Sequence, residues 1–226
     1  MIKTLLTVSI SLALAASAGV VHAQGNATGG KAKAASCAGC HGEDGNSTMP
    51  GFPKLAGQHK GYLVKQLGAF KDGSRMSPMM APLAAGLDDA AIEEIAAYYA
   101  GNKVAANPAP VLPASDDDDD APAKTDEQKK AELAKLIDQG GDLYRNGNLT
   151  TAVSACVACH GPFGEGNRPA AYPSLHSQHA DYLIKTLTDF KTGARSKSRE
   201  NMMHMIATKM TEQEIKAVAY YISTMK

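Results

Sequence analysis

Cys37-Ala-Gly-Cys40-His41 recurs as Cys156-Val-Ala-Cys159-His160. These ten positions hold all 4 cysteines of the chain and two of its 7 histidines. C-x-x-C-H is the attachment signature of c-type haem. Its two thiols add to the haem vinyl groups, spaced by one helical turn. The adjacent imidazole comes up under the iron as the proximal ligand. Rival readings fit less well. A redox C-x-x-C wants a βαβ setting, and no alternating strand pattern is present. A zinc ribbon wants its Cys pairs about 15–20 residues apart, whereas these lie far apart in the chain. A disulfide within each pair leaves the repeated histidine unexplained.

Working outward, Gln58-His-Lys-Gly-Tyr-Leu-Val-Lys-Gln-Leu-Gly-Ala-Phe-Lys-Asp-Gly73 matches Gln178-His-Ala-Asp-Tyr-Leu-Ile-Lys-Thr-Leu-Thr-Asp-Phe-Lys-Thr-Gly193. Phe52-Pro53-Lys-Leu55 matches Tyr172-Pro173-Ser-Leu175. Two copies make a duplication rather than a solenoid. The repeat sets the domains at 24–106 and 126–226. Between them, 107–125 carries prolines and the run Asp116 to Asp120. Proline and like charge mark an extended, solvated linker. A calcium loop would need spaced ligands and a glycine that are missing here.

Residues 1–23 read as a secretory signal peptide. Lys3 supplies the positive start, Leu5 to Val21 is mostly apolar, and Val21-His22-Ala23 ends in a small-residue cleavage pattern. An uncleaved anchor is the alternative, since the apolar run is of borderline spanning length. Export agrees with the pentapeptides, because haem is attached to thiols outside the bacterial cytoplasmic membrane. The 226 residues carry formal charge zero. With no basic excess, nucleic acid is a poor partner, and so even a charge gives little electrostatic steering.

Both domains read as helical. Leu63, Leu67 and Phe70 lie on one helical stripe, as do Leu183, Leu187 and Phe190. A last helix starts near Asp88 in the first copy. Its counterpart has Thr211 and Glu214 as a capping box, with Met210 and Ile215 as the flanking apolar pair. In the second copy a helix of roughly 127–145 precedes the pentapeptide, with Gly140-Gly141 allowing a close crossing. The first copy has only a short approach from Gly30 to Ser36.

A haem iron held by one histidine takes a second axial ligand or stays open for chemistry. Thioether sulfur suits an electron carrier and raises its potential. The first copy offers Met76, Met79 and Met80; the second offers Met202, Met203 and Met205, with His204 competing. Met80 precedes Leu87 by the same interval that separates Met203 from Met210. Met79 and Met202 share a register as well, so the repeat alone does not separate neighbours.

Taken together, the two pentapeptides, Phe52-Pro-Lys-Leu-Ala-Gly-Gln58, Tyr62-Leu-Val-Lys-Gln-Leu67, Gly193-Ala-Arg195 and the methionine-to-final-helix segments resemble the cytochrome c4 family. The resemblance implies an all-α fold of two tandem class I cytochrome c-like domains, each wrapping one covalent haem. It implies Cys37, Cys40, Cys156 and Cys159 as haem attachments. It gives His41 and Met80, and His160 and Met203, as the axial pairs. It implies that a backbone carbonyl at Pro53 and at Pro173 accepts the proximal His Nδ1–H.

The expected function is that of a periplasmic carrier with two haem c groups, not an enzyme. It would take electrons from a membrane quinol-oxidising complex and pass them to a terminal oxidase, meeting the membrane only through those partners. An alternative is a dihaem electron-transfer subunit of a periplasmic oxidoreductase. A peroxidase would need an open axial site, whereas both copies offer a methionine.

Overall fold

In the computed structural model of the protein, residues 27–112, 124–195 and 202–226 are described. The signal sequence expected at 1–23 and the aspartate run lie outside the described residues.

Each pentapeptide closes a single helical turn. The His41 N–H donates to the Cys37 carbonyl at 3.0 Å, and the His160 N–H to the Cys156 carbonyl at 2.9 Å. These turns are α2 (Ala38–His41) and α7 (Val157–His160). Gly42 and Gly161 follow with φ of 82° and 77°. That left-handed backbone is open to glycine at little cost and ends each turn directly after its histidine.

Around these turns the elements repeat. The first domain has α1 (Ala27–Lys33), a 3-10 turn (Ala34–Ser36), α3 (Lys60–Lys71), α4 (Met80–Ala85) and α5 (Asp89–Gly101). The second has α6 (Asp126–Asn146), α8 (Ala180–Thr192), α9 (Met202–Ala207) and α10 (Glu212–Thr224). Among the described residues only two isolated β-bridges occur and no strand, so the architecture is all-α.

Capping residues account for the helix starts. The Asp88 side chain accepts the Ala91 N–H at 2.7 Å and opens α5. Thr211 and Glu214 form the expected capping box of α10. A second box, Thr125 with Gln128, opens α6, and the sequence reading passed over it.

In each domain the first and last helices cross at a glycine. Gly140 of α6 lies against the Ala217 carbonyl and Tyr221 of α10. Gly30 of α1 lies in the same way against the Glu94 carbonyl and Tyr98 of α5. The short approach expected in the first copy is therefore a working counterpart of α6. Behind the crossings, Ala34, Leu63, Ile95, Ala96 and Tyr99 form one core. Leu143, Tyr144, Leu183, Ile215, Val218 and Ile222 belong to the other. Cys37 and Cys156 pack against these cores, so each pentapeptide turn stands on the hydrophobic core of its domain.

Residues 103–112 hold on to both domains. The Ala105 N–H donates to Asn46 Oδ1, and the Ala105 carbonyl accepts from Lys54 Nζ at 2.6 Å. Asn107 Nδ2 donates to the carbonyls of Ser177, Gln178 and Ser223, and Leu112 packs beside Leu136 and Tyr220. The start of the stretch read as a solvated linker is thus anchored. An asparagine amide can satisfy several carbonyls at once, which the proline content did not foretell.

Candidate haem sites

The proximal side is built by a loop that returns to the helical turn. In the first domain the Gly45 carbonyl accepts the N–H groups of Leu55 and Ala56 at 2.7 and 3.1 Å. In the second, the Gly164 carbonyl accepts those of Leu175 and His176 at 2.7 and 3.3 Å. This folds the Phe-Pro or Tyr-Pro segment back over the histidine. His41 Nδ1 donates to the Pro53 carbonyl at 2.9 Å, and His160 Nδ1 to the Pro173 carbonyl at 3.0 Å. A carbonyl only accepts, so the proton sits on Nδ1 and Nε2 keeps its lone pair. The resemblance implied this bond, and both copies make it.

Phe52 stands edge-on to the His41 ring with centroids 6.3 Å apart. Tyr172 lies 6.4 Å from the His160 ring. His41 is 6% and His160 7% exposed. Burial lowers the pKa of both imidazoles, and the bond to the proline carbonyl opposes this only in part. The rings are therefore neutral near pH 7, the form that binds a metal.

None of the four cysteines is paired in a disulfide. Burial pushes Cys37 up and Cys156 up to about 11. Both thiols, before haem is attached, stay protonated at neutral pH.

The residues fit a covalently held haem. Two thiols and a buried imidazole share one turn, the imidazole is fixed in the right tautomer, and the free nitrogen is the one turned from its hydrogen-bond partner. This donor set is repeated, residue for residue, in the second domain.

On the candidate distal side, Met80 is the first residue of α4, with its N–H donating to Ser77 Oγ at 3.1 Å. Met80 is partly buried, whereas Met76 is 66% and Met79 54% exposed. In α9, Met203 is partly buried, and Met202 and Met205 are 46% and 65% exposed. The Met202 sulfur accepts a hydrogen bond from the Tyr172 hydroxyl at 3.9 Å. His204 turns back to α8, its Nδ1 donating to the Phe190 carbonyl at 2.6 Å.

Sequence reasoning gave no role to Gln58, His59, Gln178, His179, Arg75 or Arg195. All of them cross the domain boundary. Gln58 and Gln178 reach the backbone of the opposite domain at Ser174 and Lys54. Arg75 donates to the Tyr182 hydroxyl at 3.2 Å and Arg195 to the Tyr62 hydroxyl at 3.0 Å. Burial pushes the Tyr182 phenol up, but the two guanidiniums outweigh it and bring it down to about 7. The available signal was that these residues are identical in both copies at the same spacing from the proline.

Comparison with known proteins agrees with this geometry. The family described as cytochrome c matches residues 27–103 and again 137–226. A cytochrome c4 of Azotobacter vinelandii is 38% identical over 97% of this chain and 97% of its own length. The crystal structure of reduced recombinant cytochrome c4 from Pseudomonas stutzeri superposes with a TM-score of 0.76 at 36% identity, covering 89% of this chain and 99% of that one. A thiosulfate dehydrogenase electron acceptor of Stutzerimonas stutzeri is 35% identical over 86% of this chain and 81% of its own. The chain belongs to the cytochrome c4 family: a dihaem electron-transfer protein of two tandem cytochrome c domains, each carrying one covalently bound haem c.

Proposed function

We propose that the protein is a periplasmic carrier moving single electrons from a membrane quinol-oxidising complex to a terminal oxidase. Cys37 and Cys40 hold one haem and Cys156 and Cys159 the other. His41 with Met80, and His160 with Met203, would hold the two irons. The observation that carries the reading is the paired His–Pro bond, made at 2.9 and 3.0 Å in two domains of one chain.

When bound, haem supplies a one-electron ferrous/ferric couple. The chain does the rest. The Pro53 and Pro173 carbonyls orient the imidazoles and strengthen them as donors. The lower exposure of Met80 and Met203 beside their neighbours supports them as sixth ligands. A thioether in that position would favour the ferrous state and leave no room for a substrate. Residues 1–23 support export, where haem attachment takes place.

The test uses the exported holoprotein. Its mass should exceed the cleaved chain by two haem units, and Cys156→Ala with Cys159→Ala should remove only one. Added to respiring membranes that lack it, the holoprotein should restore electron flow from quinol to oxygen. Reduction by quinol without reoxidation by the membranes would overturn the assigned acceptor.

The relative named as an electron acceptor of thiosulfate dehydrogenase favours a second reading, in which this chain serves one periplasmic oxidoreductase. Stable co-purification with a larger catalytic chain, together with failure in the membrane assay, would select it.

A further inference from the structure

We propose that the Gln-His pair of each domain is a positioning device for the proximal ligand of the other domain, so that each haem is tuned across the boundary. The proposal rests on His41 and His160 being the proximal ligands.

The geometry is crossed. Gln58 of the first domain donates through Nε2 to the Ser174 carbonyl at 2.8 Å and accepts the Ser174 N–H at 2.9 Å. Gln178 of the second donates to the Lys54 carbonyl at 3.0 Å and accepts the Lys54 N–H at 2.9 Å. Ser174 directly follows Pro173, and Lys54 directly follows Pro53. Each glutamine thus grips both polar groups of the residue next to the carbonyl that holds the opposite domain's histidine. Gln58 and Gln178 are each only 8% exposed, so water does not compete for these bonds.

The histidines complete the grip. His59 Nδ1 donates to the Tyr172 carbonyl at 3.0 Å, on the other side of Pro173. The second domain's loop is therefore held at Tyr172 and at Ser174, with the ligand-bearing carbonyl between. His179 Nε2 donates to the Ser47 carbonyl at 2.8 Å, and Ser47 Oγ donates to the Cys40 carbonyl at 2.9 Å. That route reaches the first pentapeptide itself.

The backbone before each glutamine is specialised for this reach. Gly57 and Ser177 occupy equivalent positions with φ of 69° and 56°. Ser177 is held there by its N–H and Oγ, which both donate to the Met225 carbonyl at 3.0 and 2.9 Å. A left-handed residue turns the chain so that the next side chain faces the other domain.

A carbonyl that fixes a ligating imidazole sets its orientation and basicity, and so the potential of the metal. Releasing the loop weakens the His Nδ1–H bond, makes the imidazole a poorer donor and stabilises ferric iron less. The potential then rises, and it rises in the domain that was not mutated.

The experiment is a redox titration of the exported dihaem protein, with ferric haem-methyl NMR resonances assigned to each domain. Gln58→Ala should raise the potential of the second-domain haem and leave the first unchanged. Gln178→Ala should do the reverse. Gln58→Met keeps the length of the side chain and loses both bonds without adding charge, so its shift should match that of the alanine variant. It also serves if the alanine variant fails to fold. Shifts confined to the mutated domain, equal shifts in both, or none would overturn the proposal. His160→Ala checks the ligand assignment separately. An unaltered second-domain spectrum in that variant would overturn the assignment and the proposal with it. An altered spectrum without the crossed pattern would overturn the proposal alone.

Discussion

Gly140 lies against the Ala217 carbonyl with no space for a side-chain carbon between them, and this contact fixes how α6 crosses α10. Glycine here lets two backbones approach, which no other residue permits. Gly140→Ala is expected to destabilise the second domain by about 1–3 kcal/mol, as overpacking does. Gly30→Ala should do the same to the first domain, where the Glu94 carbonyl is the obstacle. Gly68 is the control. Nothing lies within 4 Å of a Cβ there, and the equivalent position holds Thr188. Gly68→Ala should stabilise by about 0.5–1 kcal/mol through backbone entropy. Denaturant midpoints of the three variants check the signs.

A second prediction concerns the sixth ligand. Met203→His should lower the potential of the second haem, because nitrogen favours ferric iron more than a thioether does. Met203→Ala should create one ferric haem that binds cyanide stoichiometrically, which the unmutated protein does not. An unchanged spectrum in Met203→Ala would move the ligand to Met202, Met205 or His204.

The pentapeptides made the haem chemistry legible because covalent attachment fixes residue type and spacing together. The helices around Leu63 and Leu183 were legible because their apolar faces recur with helical period. Two kinds of feature were not. Gly30 looked like part of a short approach, since only the position of α5 shows what it must accommodate. Gln58 and Gln178 entered only as matching residues of the repeat. Their partners are backbone groups of the opposite domain, and backbone groups leave no trace in a sequence. Met79 and Met202 are exposed where Met80 and Met203 are partly buried, a difference in side-chain burial that the repeat register does not carry.

The capping box of α10 yields a pH dependence. Burial raises the Glu214 pKa, but hydrogen bonds from Thr211, Asn148 and Thr151 outweigh it, and the net shift is downward. The carboxylate accepts from the Thr211 N–H and from Asn148 Nδ2, both at 2.7 Å. A carboxyl whose folded pKa is depressed stabilises the fold in full above the ordinary glutamate value of about 4.3. That contribution is lost as pH falls through the lower folded value. Glu214→Gln should therefore flatten the fall in melting temperature below pH 5 relative to the unmutated protein. An equal fall in both would show that other carboxylates account for acid sensitivity.

The last prediction concerns the charge at the domain boundary. Arg75 lies over the Phe70 ring at 4.5 Å and Arg195 over the Phe190 ring at 4.6 Å. Each donates to a tyrosine of the opposite domain. Gln66 Oε1 accepts from both, at 2.6 Å from Arg75 and 2.8 Å from Arg195. The second domain has Thr186 at the equivalent position, so a single amide oxygen serves two guanidiniums. A hydrogen bond to a charged group contributes about 1.5–3 kcal/mol. Gln66→Leu removes this acceptor and brings the repulsion between the cations forward. It should destabilise the boundary by that order and separate unfolding into two steps, one per domain. Gln66→Glu supplies an anionic acceptor in the same place, and charge-assisted bonds are the stronger kind. It should raise the first unfolding midpoint above that of the unmutated protein at neutral pH. Calorimetry on the two variants decides the matter. If both lower stability equally, the oxygen of Gln66 is not what holds the guanidiniums in register.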